Sequence, residues 1–324
     1  MTKSVPLDAV LRAKLLIVLV IGLGLSYQFL NSSWCLAASV ETHSTDLFSA
    51  THQAELAKHA HNGSLGFGEI LIHGVNGSAV SPKTIPDEAS RDIIPSTLGC
   101  YRAHANTWRY LLETDMDTLL ILEDDLDWNP NLKRTMETLS IQMQDSNIRQ
   151  TSPSDYEREN APYGLDWDVL YLGSWRHGGH PDFSDIFQKL GRKRVLAPAY
   201  STLKTTAYAI TRRGAQRLLF LLSYIGDLKH GDVDQDITRL FQEGRLRGYS
   251  LTPPAFSQFK VGGTKDSDNE NLLGSQEGKG NLRGWSPDLN VSARKSMAKS
   301  LKLENWNEYK RIREKISSTI TRHY

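Results

Sequence analysis

Only two cysteines, Cys35 and Cys100, occur in the 324 residues of this chain. That excludes a disulfide scaffold and a cysteine-rich zinc module. Neither sign of charge is in excess, since 38 Lys+Arg stand against 37 Asp+Glu for a net of +1. The broad positive field needed for nonspecific nucleic-acid binding is therefore missing, and no nucleic-acid partner is expected. No internal repeat is visible. With 39% hydrophobic and 23% charged residues, collagen, coiled coil and wholesale disorder are excluded as well. The length admits one large domain or two small ones.

Long apolar runs are also scarce, and the one near the N-terminus is short. Leu15 to Leu30 is 16 residues, roughly 24 Å as a helix against a bilayer core of ~30 Å. Extension past Asn31 to Trp34 and Ala38 supplies the missing length, with Trp34 as an interfacial anchor. Lys3, Arg12 and Lys14 precede the run, whereas Glu41 and Asp46 follow it. This asymmetry predicts a cytoplasmic tail over 1–14, a signal-anchor helix over 15–38 and a lumenal remainder. A cleaved signal peptide and secretion are the alternative, with Ala37-Ala38 near the cut. The lack of a clean small-x-small site favours the anchor. Sequons at Asn31, Asn62, Asn76 and Asn290 agree with a lumenal fate. Asn31 lies too close to the membrane for modification, which leaves Asn62, Asn76 and Asn290 as glycosylation candidates. With Cys35 at the anchor, Cys100 has no lumenal partner and is expected to be a buried free thiol.

Residues 39–64 are polar and His-rich, as in a stem joining membrane to domain. The globular domain is placed over 65–324. Glu69 to Ile72 reads as a short strand. Leu98 to Leu112 and Leu132 to Met143 have helical spacing. Thr118 to Leu122 and Asp168 to Leu172 are continuous apolar runs, as expected of strands buried on both faces. Thr206 to Ile210 reads as a third such strand, followed by a helix over Arg213 to Ser223. Gln144 to Pro162 reads as a loop. This alternation predicts an α/β domain with a mainly parallel sheet flanked by helices. A polar loop over 262–284 follows. A basic, partly helical region over 293–322 then carries nine Lys+Arg and three Asp+Glu. It is either a contact for an anionic partner or, more simply, a solvated helical face.

The chemistry-bearing feature is Leu122-Glu123-Asp124-Asp125-Leu126-Asp127, four carboxylates directly after a buried strand. Ligands gather at the carboxyl ends of strands in open α/β sheets. Adjacent acids there raise one another's pKa unless a cation neutralises them, and hard oxygens suit Mg²⁺ or Mn²⁺. The plain alternative is an acidic turn that caps a helix. A second cluster, Asp232-Val233-Asp234-Gln235-Asp236, precedes an apolar stretch. It offers Asp234 and Asp236 as a catalytic base or acceptor-hydroxyl ligand, or else as helix-capping acids. His104 shares a helix with Cys100 and is either a ligand or a packed core histidine. Trp175, Arg176, His177 and His180 surround Gly178-Gly179, in either a sugar-lining turn or an ordinary surface loop.

Several stretches together resemble glycosyltransferase family 25. They are Leu98-Gly99-Cys100-Tyr101-Arg102-Ala103-His104, Leu120-Ile121-Leu122-Glu123-Asp124-Asp125 and Asp166-Trp167-Asp168-Val169-Leu170-Tyr171-Leu172-Gly173. Thr206-Ala207-Tyr208-Ala209-Ile210 with Gly214-Ala215, and then Val233-Asp234, complete the series. The resemblance runs from about Gly63 to Leu301. It implies a GT-A (Rossmann-like) fold, a nucleotide-sugar donor, a glycan or glycoprotein acceptor, and Mn²⁺ (or Mg²⁺) in many members. It implies that Glu123, Asp124 and Asp125 form the metal and donor-diphosphate motif, with Asp124 and Asp125 on the metal. Asp234, with Asp236, lies at the acceptor, and His104, Trp175 and Tyr208 are candidate substrate contacts. Together with the N-terminal signals, the resemblance implies a type II protein of the Golgi or ER membrane. One departure stands out: Glu69-Ile70-Leu71-Ile72 runs directly into His73-Gly74-Val75-Asn76, where the family has a further βα unit that helps hold the donor. This implies either coding sequence omitted at that point or a catalytically inactive relative. A metal-dependent phosphohydrolase using the same acids is a further alternative.

Overall fold

A computed structural model describes residues 60, 62–72, 95–144, 151–174, 194–224, 232–259, 289 and 291–300. All belong to the compact unit that spans 39–324. The anchor over 15–38, most of the stem, Trp175, Asn76, Asn290, the polar loop 262–284 and residues beyond 300 lie outside the described residues. Among the described residues no helix is long and apolar enough to cross a membrane.

Six strands form the central sheet: β1 (Glu69–Ile72), β2 (Thr118–Leu122), β4 (Val169–Gly173), β5 (Val195–Pro198), β6 (Ala207–Thr211) and β7 (Gly248–Thr252). Their spatial order is β1-β2-β6-β4-β7-β5. β1 pairs parallel with β2, and β4 parallel with β7. β6 is inserted antiparallel between β2 and β4, and β5 closes the far edge antiparallel to β7. The α/β class and the mostly parallel sheet flanked by helices hold, and the sheet is mixed: four strands run one way and β5 and β6 run against them. Antiparallel insertion depends on which strand β6 finds in space, since an apolar run by itself does not encode the sense of its pairing. Short strands β3 (Leu126–Trp128) and β8 (Phe256–Gln258) pair antiparallel beside the main sheet.

The helices cover both faces. On one face are α1 (Pro95–Glu113), α4 (Arg212–Leu219, continued by a π turn over Phe220–Tyr224) and α5 (Val233–Gln242). Trp108, Leu111, Leu218, Ile237 and Leu240 there meet Leu119, Ile121, Tyr171 and Ile210 of the sheet. On the other face α2 (Leu132–Met143) brings Met136, Leu139 and Met143 to Leu120, Leu170, Leu172 and Ala209. Successive strand residues therefore enter opposite cores, which is why TLLIL and VLYL read as unbroken apolar runs. Each such buried Leu or Ile contributes about 2 kcal/mol. A short helix α3 (Asp155–Asn160) occupies the stretch read as loop, and its N-terminus is a capping box of Ser154 and Glu157. The last described helix, α6 (Ala293–Ser300), lies within the basic region.

Two glycines make the close contacts of this fold possible. A Cβ on Gly214 would lie 2.1 Å from the carbonyl oxygen of Asp168, and one on Gly248 would lie 2.3 Å from that of Val169. Asp168 is fully buried and anchors this corner. It accepts from Arg213 Nε at 2.8 Å, from an Arg217 guanidinium nitrogen at 2.6 Å and from Arg247 N at 2.8 Å.

Candidate functional site

β2 delivers Glu123 to the carboxyl edge of the sheet. The Glu123 amide donates to Thr206 O at 3.0 Å, which prolongs the β2–β6 ladder by one residue. The Thr205 hydroxyl donates to Glu123 Oε1 at 2.7 Å. The chain then turns through Asp124 and Asp125 into β3. Asp124 is exposed and Asp125 half-buried. β8 closes this turn from the other side: the Phe259 amide donates to Asp125 O at 2.6 Å, and Gln258 Nε2 to Asp125 Oδ2 at 2.8 Å.

The second acidic segment arrives at the same place. Asp232 precedes α5, while Asp234 and Asp236 lie in its first turn, where acids suit the helix dipole. Asp234 Oδ2 accepts from the Lys204 amide at 2.7 Å and Oδ1 from the Gln235 amide at 2.8 Å. The Lys204 ammonium donates to Gln258 Oε1. A continuous path thus runs from Asp234 through Lys204 and Gln258 to Asp125. Two segments over 100 residues apart in sequence meet across the edge where β2 ends and β6 begins.

The electrostatics follow from that meeting. Burial first, and then the Asp125 and Asp234 charges, push the Glu123 carboxyl up to about 7 against the opposing Thr205 hydrogen bond and Lys204 charge. Burial, and after it Asp234 and Asp236, likewise raises the Asp232 carboxyl. Cys100, on α1, is a free thiol and is half-buried rather than sealed. Burial, with Glu123, Asp234 and Asp232, pushes it up to about 12. It therefore stays protonated at neutral pH and is a poor nucleophile. Among the described residues no three His, Cys, Asp or Glu side chains converge as a metal cage. Mg²⁺-type sites that use one or two carboxylates with substrate phosphates and water do not need one.

The remaining candidates are placed elsewhere. Asp236 is fully buried; the Tyr101 hydroxyl donates to its Oδ2, and Arg239 Nε lies 3.7 Å from Oδ1. It ties α5 to α1 and does not share the open edge with Asp234. His104 and Tyr208 are fully buried. His104 Nδ1 lies 2.8 Å from the Tyr208 hydroxyl, which accepts from Trp108 Nε1 at 2.9 Å. The pair forms a polar seam in the core behind the site. The last acid of the first run, Asp127, is also fully buried. It accepts from the Ser292 hydroxyl and, at 3.1 Å, from the Arg294 amide, and so holds the start of α6. Asn62 is exposed, with Oδ1 accepting from Ser64 N at 3.0 Å, Ser64 Oγ at 3.1 Å and Gly66 N at 2.9 Å.

Sequence reasoning missed Lys204, Thr205 and Gln258. Single polar residues in irregular segments carry no periodic signal. Only Lys204 leaves a conformational trace, a positive φ of 71° on a residue other than glycine.

The family model described as "Glycosyltransferase family 25 (LPS biosynthesis protein)" matches residues 36–235, which include Glu123–Asp125, Lys204 and Asp234. Procollagen galactosyltransferase 1 of Danio rerio is 28% identical over 130 residues, 40% of this chain and 18% of that protein. Procollagen galactosyltransferase 1-B of Xenopus laevis is 29% identical over 129 residues, again 40% and 18%. The inactive glycosyltransferase 25 family member 3 of Homo sapiens is 27% identical over 131 residues, with the same coverage. The matched segment thus spans under a fifth of each of these relatives. With the family model matching 36–235 of its 324 residues, this chain belongs to glycosyltransferase family 25.

Proposed function

We propose that the chain moves a sugar from a nucleotide-sugar donor to a hydroxyl of a glycan or glycoprotein acceptor. The reaction takes place in the secretory lumen, with the protein held in the Golgi or ER membrane by the segment over 15–38. The observation that carries this reading is the meeting of the Glu123–Asp125 turn and Asp234 at one edge of the sheet. Donor and acceptor chemistry need neighbouring but separate groups, and these two segments supply them.

In the transfer the bond between the sugar's anomeric carbon and the donor phosphate breaks, and the acceptor oxygen takes that carbon. The acceptor proton goes to a carboxylate. Asp234 suits this role because two backbone amides fix both of its oxygens while it remains only half-buried. Asp124 and Asp125 would hold Mn²⁺ or Mg²⁺, whose charge offsets that building on the departing nucleoside diphosphate. Glu123, tethered by Thr205, orients the turn that presents them. Replacing Asp124 and Asp125 together by Asn is expected to lower Mn²⁺-dependent transfer at least about 100-fold. Unchanged turnover in that double variant would defeat the assignment.

A specific observation also favours a second reading, a binding relative without turnover: the chain passes directly from Ile72 to His73 where the family has a further unit, and inactive members are among its relatives. Calorimetry with UDP-sugars and Mn²⁺ separates the two. Saturable donor binding, with nucleotide release that depends strictly on acceptor, supports the transferase and also excludes a phosphohydrolase as the main activity.

A further inference from the structure

We propose that Gln258 is a positioning residue of this site: its side-chain amide fixes the Asp125 carboxylate and ties it, through Lys204, to the segment that carries Asp234. The inference rests on the reading of the Glu123–Asp125 turn as the metal and donor-diphosphate site.

Gln258 ends β8 and pairs with Leu126 of β3, which places it beside Asp125. Its Nε2 donates to Asp125 Oδ2 at 2.8 Å. The next residue, Phe259, donates its amide to Asp125 O at 2.6 Å. Consecutive residues of one strand end thus hold both the side chain and the backbone of a single acid. On its other side Gln258 Oε1 accepts from the Lys204 ammonium, and the Lys204 amide donates to Asp234 Oδ2 at 2.7 Å. Lys204 has a φ of 71°, a region that residues with a Cβ avoid. Such backbone outliers persist where their surroundings over-determine them. Here the residue is held at both ends, by Asp234 at its amide and by Gln258 at its ammonium.

The chemistry of the two partners selects the side chain between them. A carboxylate only accepts hydrogen bonds and an ammonium only donates them. A side-chain amide does both at once, and these partners decide which of its ends is oxygen. Glu in its place would pair with Lys204 but repel Asp125, and an aliphatic side chain would bond to neither. Groups that orient a metal ligand are worth roughly 10- to 100-fold in metal affinity.

The test is Mn²⁺ binding to the full chain, measured by the ion's paramagnetic resonance with and without UDP. It compares wild type, Gln258→Leu and Gln258→Met with the same two substitutions made in an Asp125→Asn background, and melting curves establish that each protein is folded. Gln258→Leu and Gln258→Met are expected to weaken Mn²⁺ binding about tenfold. In the Asp125→Asn background neither is expected to weaken it further, because residues that act through one another give non-additive losses. Unchanged affinity in both single variants overturns the proposal. Equal losses in both backgrounds overturn it as well, as does failure of both variants to fold, since Gln258 then serves the fold and not Asp125. Absence of Mn²⁺ binding by wild type in either condition overturns it together with the metal reading. Acceptor-dependent transfer with unaltered Mn²⁺ affinity in Gln258→Leu keeps the transferase reading and overturns this one. The non-additive loss in a chain that transfers no sugar supports this one and argues against turnover.

Discussion

At the scale of single residues, the acids of the first run have separate fates although they are adjacent in sequence. Asp124 faces solvent, Asp125 is bound by Gln258, Glu123 is tethered by Thr205, and Asp127 is buried against the start of α6. Glu123 has the clearest consequence for pH. Its carboxyl lies near 7 when folded, against an ordinary value of 4.5. The folded state therefore binds a proton more readily than the unfolded chain. That contribution to stability is fully present below about pH 4.5 and is lost as pH rises through about 7. Glu123→Gln is expected to abolish this slope, so the variant gains in relative melting temperature between pH 5 and pH 8. Parallel melting curves for the two proteins across that range would contradict it. The acidic run stood out in the sequence because four carboxylates after a buried strand are unusual. Their division of labour was not legible, since it depends on which residues arrive opposite each of them.

At the scale of elements, the sheet is positioned by tight backbone contacts. The helix that begins at Arg212 sits so close to Asp168 that Gly214 has no room for a side chain. Gly214→Ala is expected to destabilise the fold by about 3 kcal/mol, measured by urea denaturation. α6 depends instead on a buried acid. Asp127 and Ser292 hold its first turn, and Arg294 Nε donates to Leu126 O at 2.8 Å with its guanidinium over the Phe259 ring. Asp127→Ala is expected to cost about 1–2 kcal/mol and to speed hydrogen exchange over 293–300 while β2 and β4 stay protected. Equal protection in α6 would show that other contacts hold it. The strands Thr118–Leu122 and Val169–Gly173 and the helix Leu132–Met143 were foreseen within a residue, because both faces of the sheet are covered and the apolar runs are unbroken. β5, β7 and β8 were not. Gly248-Tyr249-Ser250-Leu251-Thr252 contains three small or hydroxyl residues, and its burial comes from neighbours rather than from its own hydropathy. α3 was missed although its Ser154-x-x-Glu157 signature was there to be read.

At the scale of the whole molecule, the site joins regions with different sequence support. Glu123–Asp125, Lys204 and Asp234 fall within the family match over 36–235, whereas Gln258 and α6, which steady the acidic turn, lie beyond it. β1 stands at the edge of the sheet, and Ile72 at its end is 61% exposed. The lumenal assignment has a direct test. Expressed in eukaryotic cells, the full chain is expected to lose mass on treatment with peptide N-glycosidase, by a smaller step in the Asn62→Gln variant. An unchanged mass in both would remove the lumenal assignment.

Local patterning by itself determined the α/β class, the principal buried strands, the acidic turn at a strand end and the family. Each of these is written in short contiguous stretches, where hydrophobic period and adjacent charges act over a few residues. Only the tertiary structure decided that β6 runs antiparallel between β2 and β4, that Asp234 joins the first acids while Asp236 is buried with Tyr101, and that His104 and Tyr208 belong to the core. It also brought Lys204 and Gln258 between the two acidic segments. These are pairings between residues far apart along the chain, set by the packing of helices on a twisted sheet, and no local pattern encodes them.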